Sequence, residues 1–258
     1  MSRMARSVPV RRSPPFLSLA LALAAALPAA QARAVDVHAL LKKADEYRLA
    51  GAEMQVDTRV ETLKGGVLDK DRRYLVYLKP GRRSLVLSRS PVEQGQKILM
   101  LEDDFWLLLP SSQRPIRITP AQKLLGEASA GDVATLAWAD DYQGVLTGEV
   151  EVEGRVCLRL DLRAQRRGVT YQRIELLLGK ADARPVRADL YVASDRLAKR
   201  ATFSLDVVDG RLQVSSMTLS DQIQTSRQTV IRYLARRART VPDELFNPMF
   251  LTRNEPKE

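Results

Sequence analysis

The chain is short of the residues that carry much of common protein chemistry. One cysteine among 258 residues excludes an internal disulfide and a cysteine-based zinc cluster. One histidine argues against a His-rich metal site. Aromatic residues make up only 5%, a poor supply for reading nucleic-acid bases by stacking. No apolar run approaches the ~20 residues that a membrane-spanning helix needs. No nucleophile elbow, phosphate-cradling loop or metal-ligand spacing is present. The adjacent acids Asp103-Asp104 and Asp140-Asp141 are expected in turns, solvated. We therefore read the chain as a non-enzyme, with no cofactor and no metal.

What is present is an apolar and charged folding sequence: 45% hydrophobic, 28% charged, with 41 Lys+Arg against 31 Asp+Glu for a net charge of +10. That is too apolar for a disordered chain and too charged for a multi-span membrane protein. The charge invites a nucleic-acid reading, which residues 1–34 weaken. Arg3, Arg6, Arg11 and Arg12 form a positive start without an acid, followed by an apolar run at 16–27, then Pro28. Ala30-Gln31-Ala32 and Ala32-Arg33-Ala34 both offer the small-x-small pattern of a signal-peptidase site. The run is too short to span a bilayer, and we expect a cleaved export signal over 1–34 and one domain over 35–258. The competing reading is an uncleaved anchoring helix. Setting aside the five Arg of this segment leaves +5, and no nucleic-acid partner is expected.

Asp36 reads as an N-cap, with Val37, Leu40, Leu41, Ala44 and Tyr47 at helical spacing behind it. A helix over 36–49 follows, with His38 on its surface. From residue 53 the period changes to two: Met54, Val56, Thr58 and Val60 alternate with Gln55, Asp57, Arg59 and Glu61. The same rhythm returns at about 145–152, 155–162, 170–178, 185–193, 197–207, 211–219 and 227–235, with turn markers at Gly65-Gly66, Pro80-Gly81, Glu153-Gly154 and Asp209-Gly210. About twelve antiparallel strands are expected. Cys157 sits in one of them, most simply as a small buried hydrophobe. A different stretch interrupts the strands: Thr119-Pro120 opens a helix to Leu125, and Gly131-Asp132 a second to about Ala139. The runs Ile98-Leu99-Met100-Leu101 and Phe105-Trp106-Leu107-Leu108-Leu109 do not alternate, so both faces of those strands should be dry. The helical segments are their natural cover. The space between helix and sheet then holds either plain core or a ligand.

The block Phe105-Trp106-Leu107-Leu108-Leu109-Pro110-Ser111-Ser112-Gln113-Arg114-Pro115-Ile116-Arg117-Ile118 resembles the bacterial outer-membrane lipoprotein-sorting protein family of the LolA-like superfamily. Lys123-Leu124-Leu125-Gly126, Gly131-Asp132-Val133-Ala134, Asp141-Tyr142 and Leu245-Phe246-Asn247-Pro248 with Leu251 continue the resemblance along nearly all of the mature chain. The family's middle aromatic is Leu108 here, and Ala130 replaces its usual Asn. The resemblance implies a mainly β fold: a half-open, strongly curved antiparallel sheet or barrel, with helices lidding an apolar concave cavity. It implies a periplasmic carrier or binding protein for a lipid or the acyl chains of a lipoprotein, moving its cargo toward the outer membrane. The alternative is a non-transporting sensor or an accessory protein of a resistance-nodulation-division exporter with the same cavity. An inner-membrane exporter, an outer-membrane acceptor and transient membrane contact are the expected partners of a monomer. On that fold we expect Val76, Leu78, Leu99, Trp106, Leu108, Leu124, Leu125 and Trp138 to line the cavity. Arg117, Arg232, Arg236 and Arg237 are the expected contacts to head groups or membrane.

Overall fold

A computed structural model describes residues 35–48, 53–112, 114–122, 128–134, 137–254 and 256. The expected export signal, Leu124 and Leu125 lie outside them. No helix among the described residues is long and apolar enough to cross a membrane.

Helix α1 spans Val37–Glu46, with Asp36 as its N-cap accepting from Ala39 N at 3.0 Å. Six strands follow: β1 Met54–Lys64, β2 Val67–Lys79, β3 Arg83–Ser88, β4 Lys97–Leu101, β5 Asp104–Leu108 and β6 Ile116–Ile118. Two short helices, α2 Ala130–Ala134 and α3 Trp138–Asp141, precede the second run. That run is β7 Tyr142–Val152, β8 Arg155–Ala164, β9 Arg173–Gly179, β10 Pro185–Tyr191, β11 Leu197–Val208, β12 Arg211–Asp221 and β13 Arg227–Ala238. A 3-10 turn over Asp243–Phe246 and helix α4, Pro248–Arg253, end the chain. The expected helix from Thr119 begins as a turn, with Gln122 N donating to Thr119 O at 3.1 Å; residues 123–127 are not described. The expected helix from Gly131 is instead the pair α2 and α3. Residues 135–136 between them are also outside the described set.

The thirteen strands form one curved, open antiparallel sheet in the order β6-β5-β4-β3-β2-β1-β13-β12-β11-β10-β9-β8-β7. It is two meanders joined where β1 pairs with β13. Tight hairpins build each meander because the turn residues accept positive φ. Gly65 and Gly66 sit at 59° and 80°, and Asp209 and Gly210 at 51° and 74°, the type I′ combination whose twist matches the strands it joins. Register shifts at Asp57/Thr58 on β1, Leu146/Gly148 on β7 and Ser204/Leu205 on β11 mark bulges, which bend a sheet.

The topology explains the lid. The two edges of the sheet, β6 and β7, are consecutive in sequence, so the chain between them must travel from one edge to the other. Its described helices, α2 and α3, pack against the concave face through Val133 and Trp138. The two meanders also meet at one end. Arg82, in the β2–β3 turn, donates to Glu102 O at 3.2 Å and to Gly168 O at 3.0 Å, and forms an ion pair with Asp141. A Cβ on Gly168 would collide with the backbone of Asp103, so only glycine allows that approach. Asp141 is thus buried and paired, not solvated as its place in an acid pair suggested.

Two hydrophobic clusters result. The larger fills the concave face: Val56, Tyr74, Val76, Ile98, Phe105, Leu160, Leu176, Leu190, Met217 and Ile231 among others, with Leu41 and Ala44 of α1, Val133 of α2 and Trp138 of α3. The smaller lies on the outer face of β2–β5 and joins Leu75, Tyr77, Leu85, Leu87, Leu99 and Leu108 to Val241, Leu245, Phe246 and Leu251. The 98–101 run is therefore largely dry on both faces, as expected, whereas in 105–109 Trp106, Leu107 and Leu109 are only half-buried. The second cover of these runs is the C-terminal segment, which the strand pattern did not reveal. Asn247 caps α4 from Met249 N at 2.9 Å, with Pro248 as its first residue, a start signal legible in sequence.

Candidate functional site

Under the lid, a cavity of about 50 Å³ is walled by Ile174, Ala188, Leu190, Ala201, Phe203, Met217 and Leu219 from β9–β12. Arg48, Asp132, Trp138, Tyr142 and Tyr171 face it from the lid side and the adjoining strand and loop. Beside it, a smaller space of about 10 Å³ is lined by Arg48, Val56, Thr58, Val76, Leu78, Val133, Tyr233 and Arg236. Sites for a ligand of drug size run to roughly 300–1,000 Å³. Both spaces fall far below that, so neither holds a long ligand as it stands.

The lid is held largely by buried carboxylates. Asp45 on α1 accepts from Trp138 N and Ala139 N, both at 2.9 Å, and so caps the start of α3. Burial, partly offset by Arg48 at 3.5 Å, raises its pKa to about 6. The Arg48 guanidinium lies 3.8 Å from the Trp138 ring centroid, and Trp138 meets Phe203 edge to face at 5.7 Å. Asp132 on α2 pairs with Lys199 of β11 at 2.6 Å and accepts from Tyr171 OH at 2.8 Å and Ser129 N at 2.9 Å. Burial alone would raise the Asp132 pKa, but Lys199 and these hydrogen bonds outweigh it and the net shift is downward. Burial and the Asp132 charge push the Tyr171 phenol well above its usual value, so it stays a donor. Each latch thus ties a lid helix to another helix or to the sheet through groups separated far along the chain.

The structure divides the expected lining residues. Val76 and Leu78 face the smaller space, and Trp138 the larger. Leu99 and Leu108 lie on the opposite face, in the cluster under the C-terminal segment, with Trp106 packed against it. The reason is strand parity: Leu99 opposes Trp106 across the β4–β5 ladder while Ile98 and Met100 point inward. Phe203, Met217, Leu219 and Ile174 went unnamed in the sequence reading, although their strands were located. One known inward residue on each strand would have found them by counting in twos.

The arginines divide likewise. Arg117 is exposed, pairs with Asp104 and lies 5.7 Å from the Trp106 ring centroid on the outer face. Arg232 pairs with Glu61 at 2.8 Å and Arg237 with Asp57 at 3.6 Å. Only Arg236, of the four, lines the concave space. No group of three or more His, Cys, Asp or Glu that could hold a metal ion lies among the described residues.

A family model described as an uncharacterized protein matches residues 81–253. A LolA superfamily protein from Nitrosomonas europaea is 30% identical over 83% of this chain and 98% of its own, with a TM-score of 0.77. A DUF1329 family protein from Desulfovibrio piger is 24% identical over 81% of this chain and 95% of its own, at a TM-score of 0.67. A domain assigned to outer membrane lipoprotein sorting, from Vibrio parahaemolyticus, is 18% identical over 84% and 98%, at 0.69. The last two share the fold. No curated protein matches the chain in sequence.

Proposed function

Because this chain belongs to the LolA superfamily, we propose that it binds a lipid, or the acyl chains of a lipoprotein, against the concave face of its sheet. The cargo is carried through the periplasm toward the outer membrane. The observation that carries this reading is the lid itself: short helices over an aliphatic and aromatic wall, fastened by discrete polar contacts. A plain core gains nothing from such fastenings, since buried ion pairs give little net stability over well-packed apolar groups. A carrier does gain, because its cover must come away and return.

The energetics set what such a carrier must do. Burial of an acyl chain is worth ~0.8 kcal/mol per CH₂, so a sixteen-carbon tail resists entering water by on the order of 12 kcal/mol. The concave wall must offer comparable burial once the lid swings out. The positive start, apolar run and small-x-small sites of residues 1–34 support an extracytoplasmic place of work.

Mass spectrometry of lipid retained after gentle purification, followed by transfer from donor to acceptor vesicles, tests the reading. Co-purified lipid and protein-dependent transfer are expected. No binding of any acyl ligand overturns it. Binding without transfer, together with a stable complex with one protein partner, would make the protein a sensor or exporter accessory.

A further inference from the structure

Arg48 and Arg236 reach one space from the two sides of the cavity: Arg48 follows α1 in the lid, and Arg236 lies on β13 of the sheet. Arg48 has one acid beside it, at a long contact, and Arg236 has none among the described residues. Asp45 is the acid beside Arg48, but both of its oxygens already accept from the start of α3, and its contact to Arg48 is long at 3.5 Å. Arg236 donates to Gln213 Oε1 at 2.7 Å and to the Val214 carbonyl, both neutral, and stacks 4.9 Å from the Tyr233 ring centroid. No carboxylate pairs with it among the described residues. Its neighbours on β13 differ: Arg232 and Arg237, on the other face, each have an acid. Burial depresses the pKa of both Arg48 and Arg236, yet a guanidinium keeps its charge. A desolvated cation without full counter-charge is costly, and an anion that joins it removes part of that cost. Around the pair the wall is Val56, Val76, Leu78 and Val133.

We propose that Arg48 and Arg236 form an anion subsite inside the cavity, and that the cargo is an amphiphile whose acyl chain ends in a carboxylate or a phosphate. The subsite rests on the lipid-binding reading above and narrows it from any apolar molecule to an acidic one. The lid arginine and the sheet arginine would grip the same head group, so an anionic ligand also bridges the two layers it separates.

Competition for a dansylated undecanoic acid tests this on the full chain, with hexadecanoate, hexadecyl phosphate and hexadecanol as competitors of one chain length. Either anion should bind roughly tenfold more tightly than the alcohol, the usual scale of a charge-assisted hydrogen bond. Whichever anion is tighter tells carboxylate from phosphate. Arg236→Gln should erase most of that preference while leaving the alcohol unchanged, and Arg236→Lys should keep much of it. Arg59→Gln, on the outer face and paired with Asp71 at 2.8 Å, should leave it intact. Equal binding of all three competitors, or a preference that survives Arg236→Gln, overturns the subsite while the lipid reading stands. Failure of all three to compete overturns both.

Discussion

Strands β2–β5 are covered on both faces, and the two covers are built from different forces. The outer cover is the C-terminal segment, which buries Val241, Leu245, Phe246 and Leu251 against Leu75, Tyr77, Leu85 and Leu99. Most of its polar contacts lie at the rim, where Lys79 meets Asp243 at 2.7 Å and Val241 N donates to Glu53 at 2.9 Å, and one is buried, from Lys97 Nζ to Leu251 O at 3.5 Å. The inner cover is the lid, whose ionic groups Asp45, Asp132 and Asp141 are all buried. Apolar contact weakens gradually and has no preferred point of release. A buried carboxylate either has its partners or lacks them, and so makes a latch with two states. On the proposed carrier reading, the outer cover stays and the inner one lets go.

The contrast can be broken most directly from the apolar side. Phe246→Ala should cost about 3–5 kcal/mol of global stability, as truncation of a buried aromatic does, and leave acyl binding unchanged. Urea titration reads the first and ligand titration the second. A loss of binding would mean that the two covers are coupled. Asp132→Ala strands Lys199 in the interior, at a cost of about 3 kcal/mol or more for a broken buried pair. Hydrogen exchange should show that cost confined to α2, α3 and the adjoining loop, with the amides of α4 still protected. Uniform loss of protection would deny the lid its independence.

The smallest effect concerns Asp45. Its folded pKa, about 6, stands above the ordinary 3.8, so the native state binds the extra proton between those values. Stability from this group therefore rises as pH falls from about 6 toward 4, and is lost as pH rises, by up to about 1.4 kcal/mol per pH unit. Urea midpoints of the parent against Asp45→Asn from pH 4 to 7 should diverge in favour of the parent toward acid. Divergence in the other direction would place Asp45 among ordinary surface-paired acids.

Much of the fold was legible in the sequence because period and turn chemistry are local properties. The alternation at Met54, Val56 and Val60, and the Asp209-Gly210 turn, located strands without any tertiary knowledge. The dry character of 98–101 was legible too, and that of 105–109 in part, but not which cover each face met. A run apolar at every position carries no parity, and that is why Leu99 and Leu108, expected to line the cavity, lie on the opposite face of the sheet. The latches had no local signature at all. Asp45 meets Trp138 and Asp132 meets Lys199 only because the sheet curls, and each of those acids looks in sequence like one more solvated charge. Arg236 was picked out for its charge, and what sets it apart from Arg232 and Arg237, the missing acid across the ladder, is a property of register.

The strap that joins β6 to β7 has one more consequence, a matter of length. Residues 119–141 would reach about 80 Å if drawn out at roughly 3.5 Å per residue, whereas helical stretches take up only about 1.5 Å per residue. Of the strap's described residues, the nine in α2 and α3 are stored as coiled turns. On the proposed lipid-binding reading, unwinding either helix would lengthen the cover over a guest while every rung of the sheet stays in place.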